Sequence, residues 1–170
     1  MKQTNLRNWA LFFSGERIDG AHEYTGPDMS VIVSDIRTGG MDTSLPFDDG
    51  MEAMKASFKI YGVDPTVLAW FGFQAGQTAR VTVREAYVER GPTAPAERVD
   101  TLEGLITKLT PDAHGNSNQA EAAITAEMSL SYYKSVYAGQ TLFEIDPPRF
   151  IRIVNGVNVL DKIAQILRAG

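Results

Sequence analysis

Residues 122–137 alternate apolar and polar side chains for longer than any other stretch of the chain. Ile124, Ala126, Met128, Leu130 and Tyr132 fall on one side of an extended backbone, and Thr125, Glu127, Ser129, Ser131 and Tyr133 fall on the other. A period of two over this length is a strand pattern, not a helix pattern. At ~3.3 Å per residue the run spans about 50 Å, longer than most strands of single domains. A chain built around such a strand is sheet-rich, with one face for a core and one for water.

The neighbouring segments fit that frame. Residues 51–61 alternate Met54, Ala56, Phe58 and Ile60 against Glu52, Lys55, Ser57, Lys59 and Tyr61. Residues 79–90 and 99–109 read as further strands, and residues 29–37 as a strand with an irregularity near Ser34-Asp35. Between them, residues 38–50 hold Gly39, Gly40, Pro46 and three aspartates, which predicts a long loop or irregular hairpin tip. Asp64 as N-cap and Pro65 as first helical residue predict a helix over 65–73. Val159, Leu160, Ile163, Ile166 and Leu167 predict a short amphipathic helix over 158–168, wet along Asp161, Lys162, Gln165 and Arg168. Residues 1–28 read as an arm or a short edge strand. The expectation is a single domain of 170 residues, mostly β, with one helix in the middle and one at the end.

Little in the chain suggests chemistry. It has no cysteine, so disulfides and thiolate metal sites are excluded. The formal charge is −5, from 16 basic and 21 acidic residues, a poor balance for gripping nucleic acid. Residues 1–7 lack the apolar core of a signal peptide, and the apolar run at 9–13 is too short for a membrane span. His22 and His114 sit in Gly-rich polar surroundings without other ligands at a recognised spacing. Asp42, Asp48 and Asp49 do not follow the spacing of a calcium loop. No phosphate-binding, dinucleotide-binding or nucleophile-elbow motif occurs. Neither an active site nor a cofactor is expected. From the residues alone the reading stops at a soluble, mostly β domain, and a small barrel that binds a ligand or catalyses a reaction stays open.

Four segments carry a resemblance. Thr38-Gly39-Gly40-Met41-Asp42 precedes Asp49-Gly50-Met51-Glu52-Ala53-Met54; Ser131-Tyr132-Tyr133-Lys134 follows, with Gly139 after it; then come Phe143-Glu144-Ile145-Asp146-Pro147 and Val154-Asn155-Gly156-Val157-Asn158. In this order and spacing they resemble the major tail tube proteins of contractile-tailed phages, a family that includes the tubes of R-type pyocins. The resemblance implies a mostly β, sandwich or barrel-like fold with a flanking helix, and hexameric rings whose inner strands join in one β-barrel, stacked into a tube within a contractile sheath. Its implied partners are further copies of the chain, the sheath protein, and tape-measure and baseplate proteins. DNA would pass through without specific binding, the subunit alone would not insert in a membrane, and its place would be the virion tail, with the host cytoplasm before assembly. The same architecture without DNA cargo, in a bacterial injection or secretion apparatus, is the alternative.

The resemblance also assigns surfaces. Residues 38–50 correspond to a loop that bridges rings, with Gly39, Gly40, Met41, Asp42, Leu45, Phe47 and Asp49 as contacts. The faces carrying Lys55, Ser57, Lys59, Thr125, Glu127, Ser129 and Ser131 become candidates for lining the channel.

Overall fold

The computed structural model describes residues 3–91, 93–115 and 119–168. By sequence, residues 111–118 read as a polar loop and 91–95 as a turn-rich linker; of these, Asn116, Ser117, Asn118 and Pro92 lie outside the described residues, as do Met1, Lys2, Ala169 and Gly170. The strands are β1 (Thr4–Phe13), β2 (Glu16–Ile18), β3 (Ala21–Thr25), β4 (Val31–Ile36), β5 (Leu45–Met51), β6 (Lys55–Tyr61), β7 (Ala79–Glu89), β8 (Ala96–Pro111), β9 (Ala123–Tyr137), β10 (Gln140–Asp146), β11 (Ile151–Val154) and β12 (Val157–Asn158). The helices are α1 (Pro65–Leu68) and α2 (Asp161–Leu167). The protein is mostly β, as the alternating runs require.

Ten strands form one antiparallel sheet, ordered β12-β11-β10-β9-β8-β7-β1-β2, with β6 joining β9 and β3 joining β6. Among the described residues β4 and β5 pair only with each other. The centre is β9. Its first half pairs with β6 from Ala123 to Ser129, and its second half pairs with β10 from Tyr133 to Tyr137. β8 runs along its other edge throughout. Two layers result. β3, β6, the first half of β9 and the second half of β8 curl over β1, β7, the first half of β8 and the second half of β9. Leu11, Phe13, Phe58, Val81, Val83, Leu102, Ile106 and Met128 fill the space between. Trp9 meets Tyr24 across it, with ring centroids 6.5 Å apart.

The two halves of β9 are out of phase. Glu103 faces Tyr132 but Gly104 faces Leu130, so Ser131 is an extra residue in β9. Such a bulge moves every later side chain to the opposite face. Ala126 and Met128 are buried before it, Tyr133 and Ser135 after it. The expected uninterrupted alternation is therefore corrected: Tyr132 leaves the core face and Tyr133 enters it. Gly104 permits the close approach. A Cβ there would stand 2.0 Å from the Ser129 carbonyl oxygen and 2.9 Å from Leu130 Cα.

Other boundaries differ from expectation for local reasons. Residues 4–25 are not an arm; they hold β1, β2 and β3, and β1 lies between β2 and β7 in the sheet. The flanking helix is shorter than 65–73. Asp64 caps it by accepting from Thr66 N–H at 3.0 Å, but the Gly72 N–H is captured by the Ile106 carbonyl of β8 at 2.8 Å, which pulls the chain out of helical geometry. Of residues 38–50, expected as a long loop or irregular hairpin tip, 45–50 extend within β5 because β4 offers a ladder. The Asn155-Gly156 turn is as expected: both residues have positive φ (52° and 80°), the condition of a tight two-residue hairpin.

Gly104→Ala should destabilise the fold by about 2–3 kcal/mol, because the clash is with backbone that cannot rotate away. Gly39→Ala, where nothing lies within 4 Å of the added carbon, should change stability by less than ~0.5 kcal/mol. Urea unfolding of the two variants checks the contrast.

Candidate assembly surfaces

Strand pairing brings six of the seven expected channel residues onto one patch. Lys55 faces Ser129, Ser57 faces Glu127 and Lys59 faces Thr125. Directly paired residues share a side of the sheet. Ala56, Phe58 and Ile60 of the same strand point the other way into the core. Ser131 stands apart at the bulge, where its hydroxyl donates to the Glu103 carbonyl at 3.3 Å. Sequence reading missed four residues of this face. Glu23 and Thr25 of β3 pair with Lys59 and Ser57, and Lys108 and Thr110 of β8 pair with Glu127 and Thr125. Lys59 also meets the Asp112 carboxylate at 3.4 Å. The face is thus a mixture of acids and lysines, not a uniformly acidic surface. The alternation of Lys108, Leu109 and Thr110 was the available signal.

This leaf, β3-β6-β9-β8, has two open edges. Among the described residues β3 has no strand beyond it. β7 pairs with β8 only from Ala96 to Gly104. Beyond Gly104 that edge of β8 meets no named strand, only the isolated bridge of Phe71 to Ile106.

A buried polar cluster ties the leaf to the layer behind it. Asp100, 2% exposed, accepts from Ser135 Oγ at 2.7 Å, Arg98 Nε at 3.2 Å and Tyr24 Oη at 3.3 Å. Tyr24 belongs to β3, Asp100 to β8 and Ser135 to β9. Burial first, and then the Asp100 carboxylate, hold the Tyr24 hydroxyl protonated well above its ordinary range. Among the described residues no buried side-chain nitrogen or oxygen lacks a partner, which is what makes such a cluster tolerable in a core.

The β4–β5 hairpin is exposed nearly throughout. Ile36 pairs with Leu45 and Ser34 with Phe47, so Ile32, Ile36, Leu45 and Phe47 share one face. Ile32 and Ile36 were not among the expected contact residues, although both lie in the strand expected at 29–37. Met41 and Asp42 lie in the connecting loop, where the Met41 N–H donates to the Thr38 carbonyl at 3.0 Å. Gly39 and Gly40 both lie in a turn of that loop with open space around them and without positive φ. The hairpin base is fixed by Arg152 of β11, whose Nη2 lies 2.7 Å from Asp48 Oδ2. Asp49 accepts from Ser34 Oγ across the hairpin. The Arg152 hydrogen bond, with the Gly50 N–H, holds the Asp48 carboxyl below its usual range.

α2 also departs from expectation. Ala164 is buried, but Ile163, Ile166 and Leu167 are exposed, so the apolar stripe faces outward. His22 stacks on Tyr61 with centroids 4.4 Å apart. Among the described residues no group of three or more His, Asp or Glu is placed to hold a metal ion, and no helix is long and apolar enough to cross a membrane.

A family model described as phage tail tube protein FII matches residues 3–167. No curated protein sequence matches significantly. Among solved structures, a chain from the sheath–tube complex of an extracellular contractile injection system, PVC, in the extended state aligns with a TM-score of 0.59 and 10% identity, covering 75% of this chain and 87% of that one. A chain from the PVC sheath/tube terminator in the extended state gives 0.58 and 13%, covering 75% and 92%. A chain from the 6-fold symmetrised baseplate of the anti-feeding prophage gives 0.55 and 14%, covering 75% and 90%. At such identities the likeness is one of fold.

The Asp48–Arg152 pair should be the clasp of the hairpin. A lowered carboxyl pKa contributes stability above the ordinary value of 3.8 and loses it as pH falls toward the depressed one. Amide exchange over residues 31–51 should therefore accelerate on acidification in that window, relative to the core strands. Asp48→Asn should show fast exchange at neutral pH and no further acid step; an unchanged acid step would remove Asp48 as its origin.

Proposed function

The chain belongs to the phage tail tube protein FII family, and we propose that it works entirely by assembly, as a non-catalytic ring subunit whose β3-β6-β9-β8 leaf lines the channel. The observation that carries this is the leaf itself: one face is packed on the core, the other is polar, and among the described residues no strand lies beyond β3 or beside β8 past Gly104, where only the segment around Phe71 meets Ile106. Open edges invite pairing with further copies, and a closed ring removes them. Six copies would make a barrel of about 24 strands, with a backbone diameter of about 48 Å at ~4.8 Å spacing and ~40° tilt. That bore admits a nucleic-acid duplex. The six-fold symmetry of the anti-feeding prophage baseplate favours the same ring number here.

Lys55, Ser57, Lys59, Thr125, Glu127 and Ser129 would then face the channel, with Ser131 near its margin. Lysines paired with acids leave a surface that neither holds nor strongly repels phosphates. DNA passage follows from the phage family and needs no binding site, and the same bore would serve a particle without DNA. The layer behind the leaf, with the ion pairs Arg80–Glu103 at 3.7 Å and Arg84–Glu97 at 2.5 Å on its outer surface, would face the sheath. Residues 38–50, with the flanking hairpin strands, would reach the next ring, so Leu45 and Phe47 contact it from β5 while Gly39, Gly40, Met41, Asp42 and Asp49 shape the loop and base. Tape-measure and baseplate proteins would meet the tube at its bore and its end. The finished tube would lie in the virion tail, after assembly in the host cytoplasm.

Electron microscopy of the purified protein should show rings or tubes; a strictly monomeric species at high concentration would overturn the reading. The absence of native cysteine allows a sharper check. Ser57→Cys should react freely with a bulky polymer-linked maleimide as a monomer and more than tenfold less in tubes. Arg84→Cys should react in both. Equal protection of the two would remove β6 from the channel.

A further inference from the structure

Exposed large apolar side chains gather after α1, where Phe71 and Phe73 are 54% and 83% exposed, and on two further surfaces that complement each other. One is the hairpin, where Ile32, Ile36, Leu45 and Phe47 share a face and are 46–51% exposed. The other is the C-terminal segment, where Ile163, Ile166 and Leu167 of α2 are 47%, 79% and 60% exposed. A groove of about 340 Å³ lies between the hairpin base, at Asp49, Gly50 and Met51, and Ile145, Phe150, Arg152 and Leu160, the last just before α2. Phe150 in that wall has φ 57°, a strained conformation for a bulky residue, of the kind that gathers at binding sites. The two surfaces do not cover each other within the subunit, since both are exposed together.

Their charges are opposite as well. Residues 31–51 hold Asp35, Asp42, Asp48 and Asp49 against Arg37 alone. Residues 147–168 hold Arg149, Arg152, Lys162 and Arg168 against Asp161 alone. The Asp48–Arg152 bridge at the hairpin base is one instance of this attraction, made inside the subunit; setting it aside leaves each surface with an excess of two charges.

We propose that the hairpin of one subunit seats its Ile32–Phe47 face on the C-terminal groove and α2 of a second copy in the next ring. This rests on the tube reading and names the receptor for its inter-ring contact. A patch that fits a different surface of an identical molecule makes a head-to-tail contact that does not close on itself. That is the geometry a stack of rings needs along its axis. Burying the two surfaces on each other removes both exposed apolar patches from water, and the opposed charges fix which surface meets which.

The test uses the double variant Phe47→Cys with Ile166→Cys, assembled under reducing conditions, checked by microscopy and then oxidised. A head-to-tail contact between rings gives a covalent ladder on denaturing gels that continues past six subunits. A ladder ending at six would place the contact within one ring and overturn the proposal. So would tubes without cross-links, or Phe47 cross-linked only to Phe47 in an equal mixture of the two single variants. That mixture serves if the double variant does not assemble, and a mixed dimer there supports the contact. Ile166→Glu, at a largely exposed position, should keep the thermal midpoint within ~2 °C and lose tube growth; normal tubes would count against α2. Failure of the unmodified chain to form rings or tubes would overturn the tube reading instead.

Discussion

Everything in this subunit depends on how closely β8 and β9 approach at Gly104. The Ser129 carbonyl and the Leu130 Cα occupy the space a side chain would need, so β9 carries its extra residue, Ser131, at that place. The bulge changes the phase of β9, and β9 exchanges β6 for β10 across it. Without the phase change one half of the strand would turn its polar face to the core. With it, a single strand serves two layers, each with its apolar side inward.

The Asp100 cluster complements this arrangement. Hydrophobic contacts between the layers are non-directional and tolerate sliding. Hydrogen bonds from Tyr24, Arg98 and Ser135 to one buried carboxylate do not. They fix β3 at one position over β8, so the free edge of the leaf is presented at a defined place. Assembly by edge pairing needs that definition, because a leaf that slid by one residue would offer the next subunit the wrong face.

Much of this was legible in the sequence. The alternation at 51–61 and 122–137 pointed to β6 and β9, two of the four strands of the polar face, because burial on one side leaves a period of two in the sequence. What escaped depended on other strands. Ser131-Tyr132-Tyr133 contains neither glycine nor proline, and the cause of the bulge lies about 27 residues away in β8. β1 was hidden because Thr4–Asn8 is exposed and only its end, Leu11 and Phe13, is buried. β5 was hidden because its glycine, proline and aspartates suit a loop, and a ladder from β4 overrides that preference. The outward stripe of α2 carries the ordinary signature of a core-facing helix; a sequence states which residues avoid water, not which molecule shields them.

The continuity of β8 and β9 through both layers also has a mechanical consequence. A pull along the inner leaf is carried to the outer layer by covalent backbone, not by side chains sliding past one another. The hydrogen-bonded ladders between these strands then resist in shear, many bonds at once, and do not peel apart one by one. A wall made of such subunits is stiff along its strands even where its side chains pack loosely.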